Sequence, residues 1–136
     1  MTAYEHLLNH DIHPSSQRIV IMDYLLKNRT HPTSNEIYNA LKEANPTLSK
    51  TTVYNTLKLF EEKGAVLNLS IDEKNAHFDG DTSDHAHLLC TQCGRIVDMK
   101  IVDSPMIEND RDCDIHQTHI YMKGVCDICK KANYLH

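Results

Sequence analysis

Ser49-Lys-Thr-Thr-Val-Tyr-Asn-Thr-Leu-Lys-Leu-Phe-Glu-Glu-Lys-Gly64 reads as a helix with both ends marked. The Ser49 hydroxyl can accept from a free N–H of the first turn, and Gly64 readily takes the left-handed conformation that stops a helix. Val53, Leu57 and Phe60 fall at i, i+4 and i+7 and form a stripe to be buried. The other face carries Lys50, Thr51, Tyr54, Asn55 and Lys58, residue types that reach phosphates and base edges. A merely solvated helix face has a similar composition, and the rival role for Tyr54 is that of a packing residue. Leu67-Asn-Leu-Ser-Ile71 then alternates apolar and polar like a half-buried strand, Asp72 to Asn75 turns, and Ala76 to Asp79 makes a second strand.

Working back from this helix, three more are expected. Thr33-Ser-Asn-Glu36 is a capping box, in which the hydroxyl and the carboxylate each satisfy an N–H of the first turn; Ile37, Ala40, Leu41 and Ala44 give that helix its apolar face. Ser16 to Asn28 forms another, with Ile19, Met22, Leu25 and Leu26 on one side, and Tyr4 to His10 a short one. Helices followed by a β-hairpin make the winged-helix arrangement. Working forward, the pattern changes near residue 80, across the small polar stretch Asp79-Gly-Asp-Thr-Ser-Asp84. Beyond it, His87 to Cys90, Arg95 to Ile101 and His119 to Val125 read as strands, and any helix in the acidic stretch 102–114 is short. The expected fold class is α+β: a winged helix-turn-helix domain over 1–80 and a small α/β domain over 81–136.

Bulk properties narrow the function. No apolar run approaches the roughly 18 residues of a membrane helix, and Met1-Thr-Ala-Tyr-Glu-His6 lacks a signal-peptide pattern, so a cytoplasmic protein is expected. The net charge of -5 is awkward for a nucleic-acid binder, since residues 1–80 carry 8 Lys/Arg against 10 Asp/Glu and residues 81–136 carry 6 against 9. DNA binding must then rest on a local cluster, on dimerisation, or on bound cations.

Four of the five cysteines form two pairs, Cys90-Thr-Gln-Cys93 and Cys126-Asp-Ile-Cys129, with Cys113 left over. In a reducing compartment this favours a metal over a disulfide framework. Two residues between cysteines let both thiolates face one ion, and four thiolates make a closed tetrahedral zinc site with no position left for catalysis. A redox pair or an iron–sulfur cluster is the rival use. His85-Ala-His87 alternates on one strand face, so both imidazoles can point to one ion. His31, Asp79 and Asp98 are further candidates, and a mixed nitrogen and oxygen set suits Fe2+, Mn2+ or Zn2+. His6, His10, His13, His77, His116, His119 and His136 are expected at the surface or in local structure, with His116 and His119 the closest to the last cysteine pair.

Taken together, Ser16-Gln-Arg18, His31-Pro-Thr-Ser-Asn-Glu-Ile-Tyr38, Thr51-Thr-Val-Tyr-Asn-Thr-Leu57, His77-Phe-Asp79, Ser83-Asp-His-Ala-His87, Cys90-x-x-Cys-Gly94 and Gly124-Val-Cys-x-x-Cys129 resemble the ferric uptake regulator (Fur) family, over about residues 5 to 131. The chain looks most like the peroxide-sensing PerR branch, because iron sensors of the family tend to carry Glu where this chain has Asp98. The resemblance implies a dimeric repressor of double-stranded operator DNA and not an enzyme, with structural Zn2+ in Cys90, Cys93, Cys126 and Cys129. It also implies regulatory Fe2+ or Mn2+ in His31, Asp79, His85, His87 and Asp98, locking the dimer in its DNA-binding shape. Peroxide would act by oxidising His31 and His85. Arg18, Lys50 and Lys58 are expected on phosphates, Tyr54 and Asn55 on bases, with Thr51 beside them.

Two departures stand out. The stretch between Asp98 and Cys126 is several residues short, with an acidic segment Val102 to Asp112 in place of a dimer-domain helix. Ala86 also stands where a further metal site of some members needs an acid. The rival functions are a repressor of metal-uptake genes that senses iron or another divalent metal, a non-haem metalloenzyme, and a zinc-stapled interaction module.

Overall fold

The computed structural model describes residues 1–69, 75–83, 85–102, 107–116 and 118–134. Ser70 and Ile71 of the first wing strand, the turn residues Asp72 to Lys74, Asp84, residues 103–106 and His136 lie outside the described residues. The chain is α+β and divides into two compact units, Met1–Thr82 and Ser83–His136.

The first unit contains α1 (Ala3–Asn9), α2 (Ser16–Lys27), α3 (Ser34–Leu41), α4 (Lys50–Glu62), β1 (Leu67–Leu69) and β2 (His77–Asp79). Each helix begins on a hydroxyl cap: Thr2, Ser15, Thr33 and Ser49 accept from the N–H of Glu5, Arg18, Glu36 and Thr52. The Thr33–Glu36 capping box forms in both directions. Beyond α4, Gly64 adopts φ +73°, the left-handed stop its position calls for. Val53, Leu57 and Phe60 are buried as their spacing predicts, and Thr56 joins them.

Two helix faces differ from expectation. In α2 the buried residues are Ile21, Met22 and Leu25, while Ile19 and Leu26 are only half-buried. The stripe is rotated because α2 packs on α1, α3 and α4 together, so its inward side is set by three neighbours. In α3 only Ile37 is buried; Ala40 and Ala44 are exposed. A helix of eight residues has room for one inward turn, and α3 ends at Leu41. β1 and β2 pair antiparallel, Leu67 opposite Asp79, and form the wing.

The second unit is a three-stranded sheet in the order β4–β3–β5, from β3 (His85–Cys90), β4 (Ile96–Lys100) and β5 (Tyr121–Gly124), followed by α5 (Asp127–Tyr134). β4 runs antiparallel to β3 and β5 parallel to it. Among the described residues of 101–120 there is no helix. The helix α5 stands where a second strand-end turn is expected: Cys129 lies in its first turn and Cys126 just ahead of it.

Candidate metal centres and nucleic-acid face

In the second unit, β3 ends at Cys90, the following turn carries Cys93, and Gly94 leaves it with φ +77°. Because β5 lies parallel to β3 with Gly124 opposite Cys90, the chain leaving β5 delivers Cys126 to the same corner. The four sulfurs of Cys90, Cys93, Cys126 and Cys129 lie within 4.8 Å of one another. The Cys93 and Cys126 sulfurs are 3.8 Å apart. A tetrahedron with Zn–S arms of ~2.3 Å has edges of about 3.8 Å, so the thiols fit that ion.

The surroundings favour thiolates. The N–H groups of Cys93 and Cys126 each donate to the Cys90 sulfur, at 3.4 Å, and bring that thiol down from 9.0 to about 6. The Cys129 N–H donates to the Cys126 sulfur at 3.5 Å, at the positive end of α5, and lowers that thiol too. Cys129 is pushed up to about 12, chiefly by its hydrogen bond with Cys126. A cation bound among clustered sulfurs displaces the protons they retain. Arg95 lies beside Cys126 and also pairs with Asp127, adding positive charge at the rim. Cys113 is exposed and outside this cluster, its backbone braced on both sides by the Asn109 amide.

The histidines and acids fall into two groups, one in each unit. In the first unit, the Nε2 of His31 lies 3.3 Å from Oδ2 of Asp79, and both side chains are buried. His31 has φ +55°, a conformation rarely taken by a non-glycine residue. It is held there by the wing: His77 donates from Nδ1 to the His31 carbonyl at 2.7 Å, and the Phe78 N–H donates to the Pro32 carbonyl at 3.0 Å.

In the second unit, cross-strand register places His87 opposite Asp98, and the pleat puts His85 on the same face. The Nε2 atoms of His85 and His87 each lie 3.3 Å from the same oxygen, Oδ1 of Asp98. Ligand atoms sharing an ion at ~2.1 Å stand about 3.0–3.4 Å apart, so each His–Asp pair is spaced as two ligands of one divalent ion are. His85 adds a chemical argument. Its Nδ1 lies 2.7 Å from the Ser83 carbonyl, which can only accept, so Nδ1 carries the hydrogen. In the neutral ring, Nε2 then points a lone pair at a carboxylate oxygen. Only a proton or a cation makes that contact favourable, and metal-bound histidines commonly donate their other N–H to a carbonyl in this way.

His116 and His119 are exposed, and among the described residues neither joins a group of three or more candidate ligands. His6 is a core residue: it is buried and donates from Nε2 to the Ala65 carbonyl at 2.8 Å. The burial of Leu7 in the same short helix is the sequence signal for it.

Lys50, Thr51, Tyr54, Asn55 and Lys58 are all exposed on α4, Tyr54 at 58%. Lys50 and Lys42 approach the Tyr38 ring, their ammonium groups 5.7 and 5.9 Å from its centroid. Lys42 and Tyr38 escape a reading of α4 alone because they come from α3 and its end. Arg18 donates to the His13 carbonyl at 3.0 Å ahead of α2.

A helical unit with a two-stranded wing, followed by a small sheet carrying four convergent thiols, is the build of a metal-responsive transcription regulator. The chain belongs to the ferric uptake regulator family, whose sequence model matches residues 9–124. Members of that family are transcription regulators rather than enzymes. The chain is 39% identical to the peroxide-responsive repressor PerR of Staphylococcus aureus strain USA300, over 84% of this chain and 80% of that protein. PerR from Streptococcus pyogenes, a structure described in terms of peroxide sensing and gene regulation, superposes with TM-score 0.53 at 28% identity, over 95% of this chain and 94% of that one. The ferric uptake regulator of Pseudomonas aeruginosa with manganese has TM-score 0.73 at 22% identity, over 93% and 99%, a likeness of fold. Among the described residues no helix is long and apolar enough to cross a membrane.

Proposed function

We propose that the protein is a cytoplasmic, homodimeric repressor that binds double-stranded operator DNA when metal-loaded and releases it when peroxide oxidises its ligand histidines. The first unit is the DNA-binding domain and the second the dimerisation domain. Cys90, Cys93, Cys126 and Cys129 hold structural Zn2+. His31 and Asp79 from the first unit and His85, His87 and Asp98 from the second hold Fe2+ or Mn2+. That pooling of donors rests on the family and on the donor chemistry of each group.

The observation that carries the reading is the His85 ring, whose Nδ1 is committed to the Ser83 carbonyl while Nε2 faces Asp98 at 3.3 Å. Fe2+, if held by these residues, would supply one-electron reducing chemistry toward hydrogen peroxide beside the imidazoles of His31 and His85. The residues themselves do the rest. Asp98 meets both strand histidines through one oxygen. His77 and Phe78 hold His31 in its left-handed conformation, so that its ring meets Asp79. An ion can favour the DNA-binding state only by binding it better than the alternative, and a shift from 1:99 to 99:1 takes roughly 5.5 kcal/mol. Oxidation of a ligand ring removes part of that difference.

The test is specific DNA binding by zinc-loaded protein reconstituted with Fe2+ or Mn2+, before and after a brief peroxide dose, with mass spectrometry on the His31 and His85 peptides. The expected result is that only the Fe2+ form loses DNA and gains oxygen on those histidines. If both forms keep DNA with unmodified histidines, peroxide sensing is wrong and a metal-sensing repressor of uptake genes takes its place.

A further inference from the structure

Asp79 uses its two oxygens differently. Oδ2 faces His31 Nε2 at 3.3 Å, while Oδ1 accepts the Asp81 N–H at 2.9 Å and lies 3.5 Å from Nη2 of Arg29. The same Arg29 nitrogen is 3.1 Å from Oδ2 of Asp81. Arg29 comes just after α2, and the turn Asp79-Gly80-Asp81 is pressed against the end of that helix. A Cβ on Gly80 would stand 3.3 Å from Leu26 Cδ2 and 3.4 Å from the Leu25 carbonyl, a measure of how closely the turn lies against the helix end. That approach puts the Asp81 carboxylate under the guanidinium, and the guanidinium beside the outer oxygen of Asp79.

We propose that Arg29, steered by Asp81, sets the metal affinity of the regulatory site by drawing negative charge from Asp79 through Oδ1, the oxygen that the Asp81 N–H already holds. The inference rests on the assignment of Asp79 to the regulatory ion. Ligand charge is a main control of affinity for hard divalent ions. Arg29 acts against the ion by lowering the charge on Asp79, and Asp81 moderates it by taking part of its charge. The sign of each change follows. The orientation of Asp79 survives loss of Arg29, because the Asp81 N–H still holds Oδ1, so removing the cation strengthens Asp79 as a ligand. Neutralising Asp81 removes one carboxylate that shares the guanidinium, so more of its charge falls on Asp79 and weakens it as a ligand. A merely structural role would loosen the site in both cases.

The experiment is a Mn2+ titration of the zinc-loaded dimer, followed by loss of the electron paramagnetic resonance signal of hydrated Mn2+, with zinc content as the control for folding. Arg29 is half-exposed, at 43%, so solvent screens its effect. Arg29→Ala is expected to tighten Mn2+ by roughly three- to five-fold, the upper range for a partly exposed ion pair. Arg29→Lys keeps the charge and should stay within about two-fold of the parent. Asp81→Asn should weaken Mn2+ by about two- to five-fold, and the double change Arg29→Ala with Asp81→Asn should return near the parent. Unchanged or weaker binding in Arg29→Ala overturns the inference alone. If the parent takes up no Mn2+, or if Asp79→Ala leaves its uptake unaltered, the assignment of Asp79 fails and the inference with it.

Discussion

In Met1–Thr82, fourteen apolar residues, from Ala3 and Leu7 through Phe60 to Phe78, form one buried cluster. In Ser83–His136 the buried apolar residues among those described are Ala86 and Ile96, with Cys90 and Cys126 beside them. The first unit is small but has a core that repays the ordering of its helices. Among its described residues the second has few buried apolar side chains, and such a unit needs a metal or a partner chain. Two of its buried side chains are thiols of the four-cysteine cluster. The same chain thus holds one half by apolar burial and the other by cysteine chemistry, and each half should fail to a different insult.

The largest expected effect tests that contrast at its root. Structural zinc contributes about 10–16 kcal/mol of apparent binding free energy in small domains, which here is folding free energy. Cys126→Ser should abolish zinc retention and remove hydrogen-exchange protection from β3, β4 and β5, while the amides of α2 and α4 stay protected. Protection of the sheet without zinc would break the comparison. The converse is Phe60→Ala, at a fully buried ring in α4. It should cost about 3–5 kcal/mol in urea unfolding of the first unit and leave zinc content unchanged.

Legibility followed the range of the interactions. The start of α3 and both ends of α4 were readable because caps are local: Thr33 with Glu36, Ser49 with Thr52, and Gly64 at a positive φ. The four thiols were readable because spacing within a pair fixes their geometry. The inward side of α2 was not, since Ile21 is buried by neighbours that no local pattern reveals. The parallel pairing of β5 on β3, which brings the second cysteine pair to the first, joins residues more than thirty positions apart. The helix α5 has Asp127 in its first turn and Lys131 in its last, the charge order a helix prefers, yet its cysteines drew attention as a turn instead. For the histidines, His85 and His87 followed from strand alternation, whereas His31 with Asp79 came from resemblance. The Arg29–Asp81 pair drew no attention because isolated charges usually face solvent.

Two glycines offer a finer comparison, one in each unit. Gly64 and Gly94 have φ of +73° and +77°, and in neither case does an added Cβ meet another atom. Alanine at either place therefore introduces conformational strain and little else, about 1–2 kcal/mol. Gly64→Ala should appear as a lowered urea midpoint for the first unit. Gly94→Ala, in the turn between Cys93 and Arg95, should appear as zinc affinity reduced by about ten-fold in a chelator competition. Equal losses of urea midpoint with zinc affinity untouched would mean that the second unit does not depend on its thiols.

The smallest expected effect on stability is at Lys50, the first residue of α4 and fully on its exposed face. Its ammonium lies over Tyr38, but Lys42 lies over the same ring, so Lys50→Ala leaves Tyr38 with a cation. Stability should stay within about 0.5 kcal/mol of the parent, as for an ordinary surface change. DNA binding should respond differently. If Lys50 meets a phosphate, its removal weakens binding to operator and unrelated duplex alike, and the slope of log affinity against log salt becomes shallower by about 0.9. A loss confined to the operator, with the slope unchanged, would make Lys50 a reader of bases. Unchanged affinity on both would take this face of α4 out of the DNA contact. Either result would leave the buried face of the same helix, through Val53, Leu57 and Phe60, with its structural role intact.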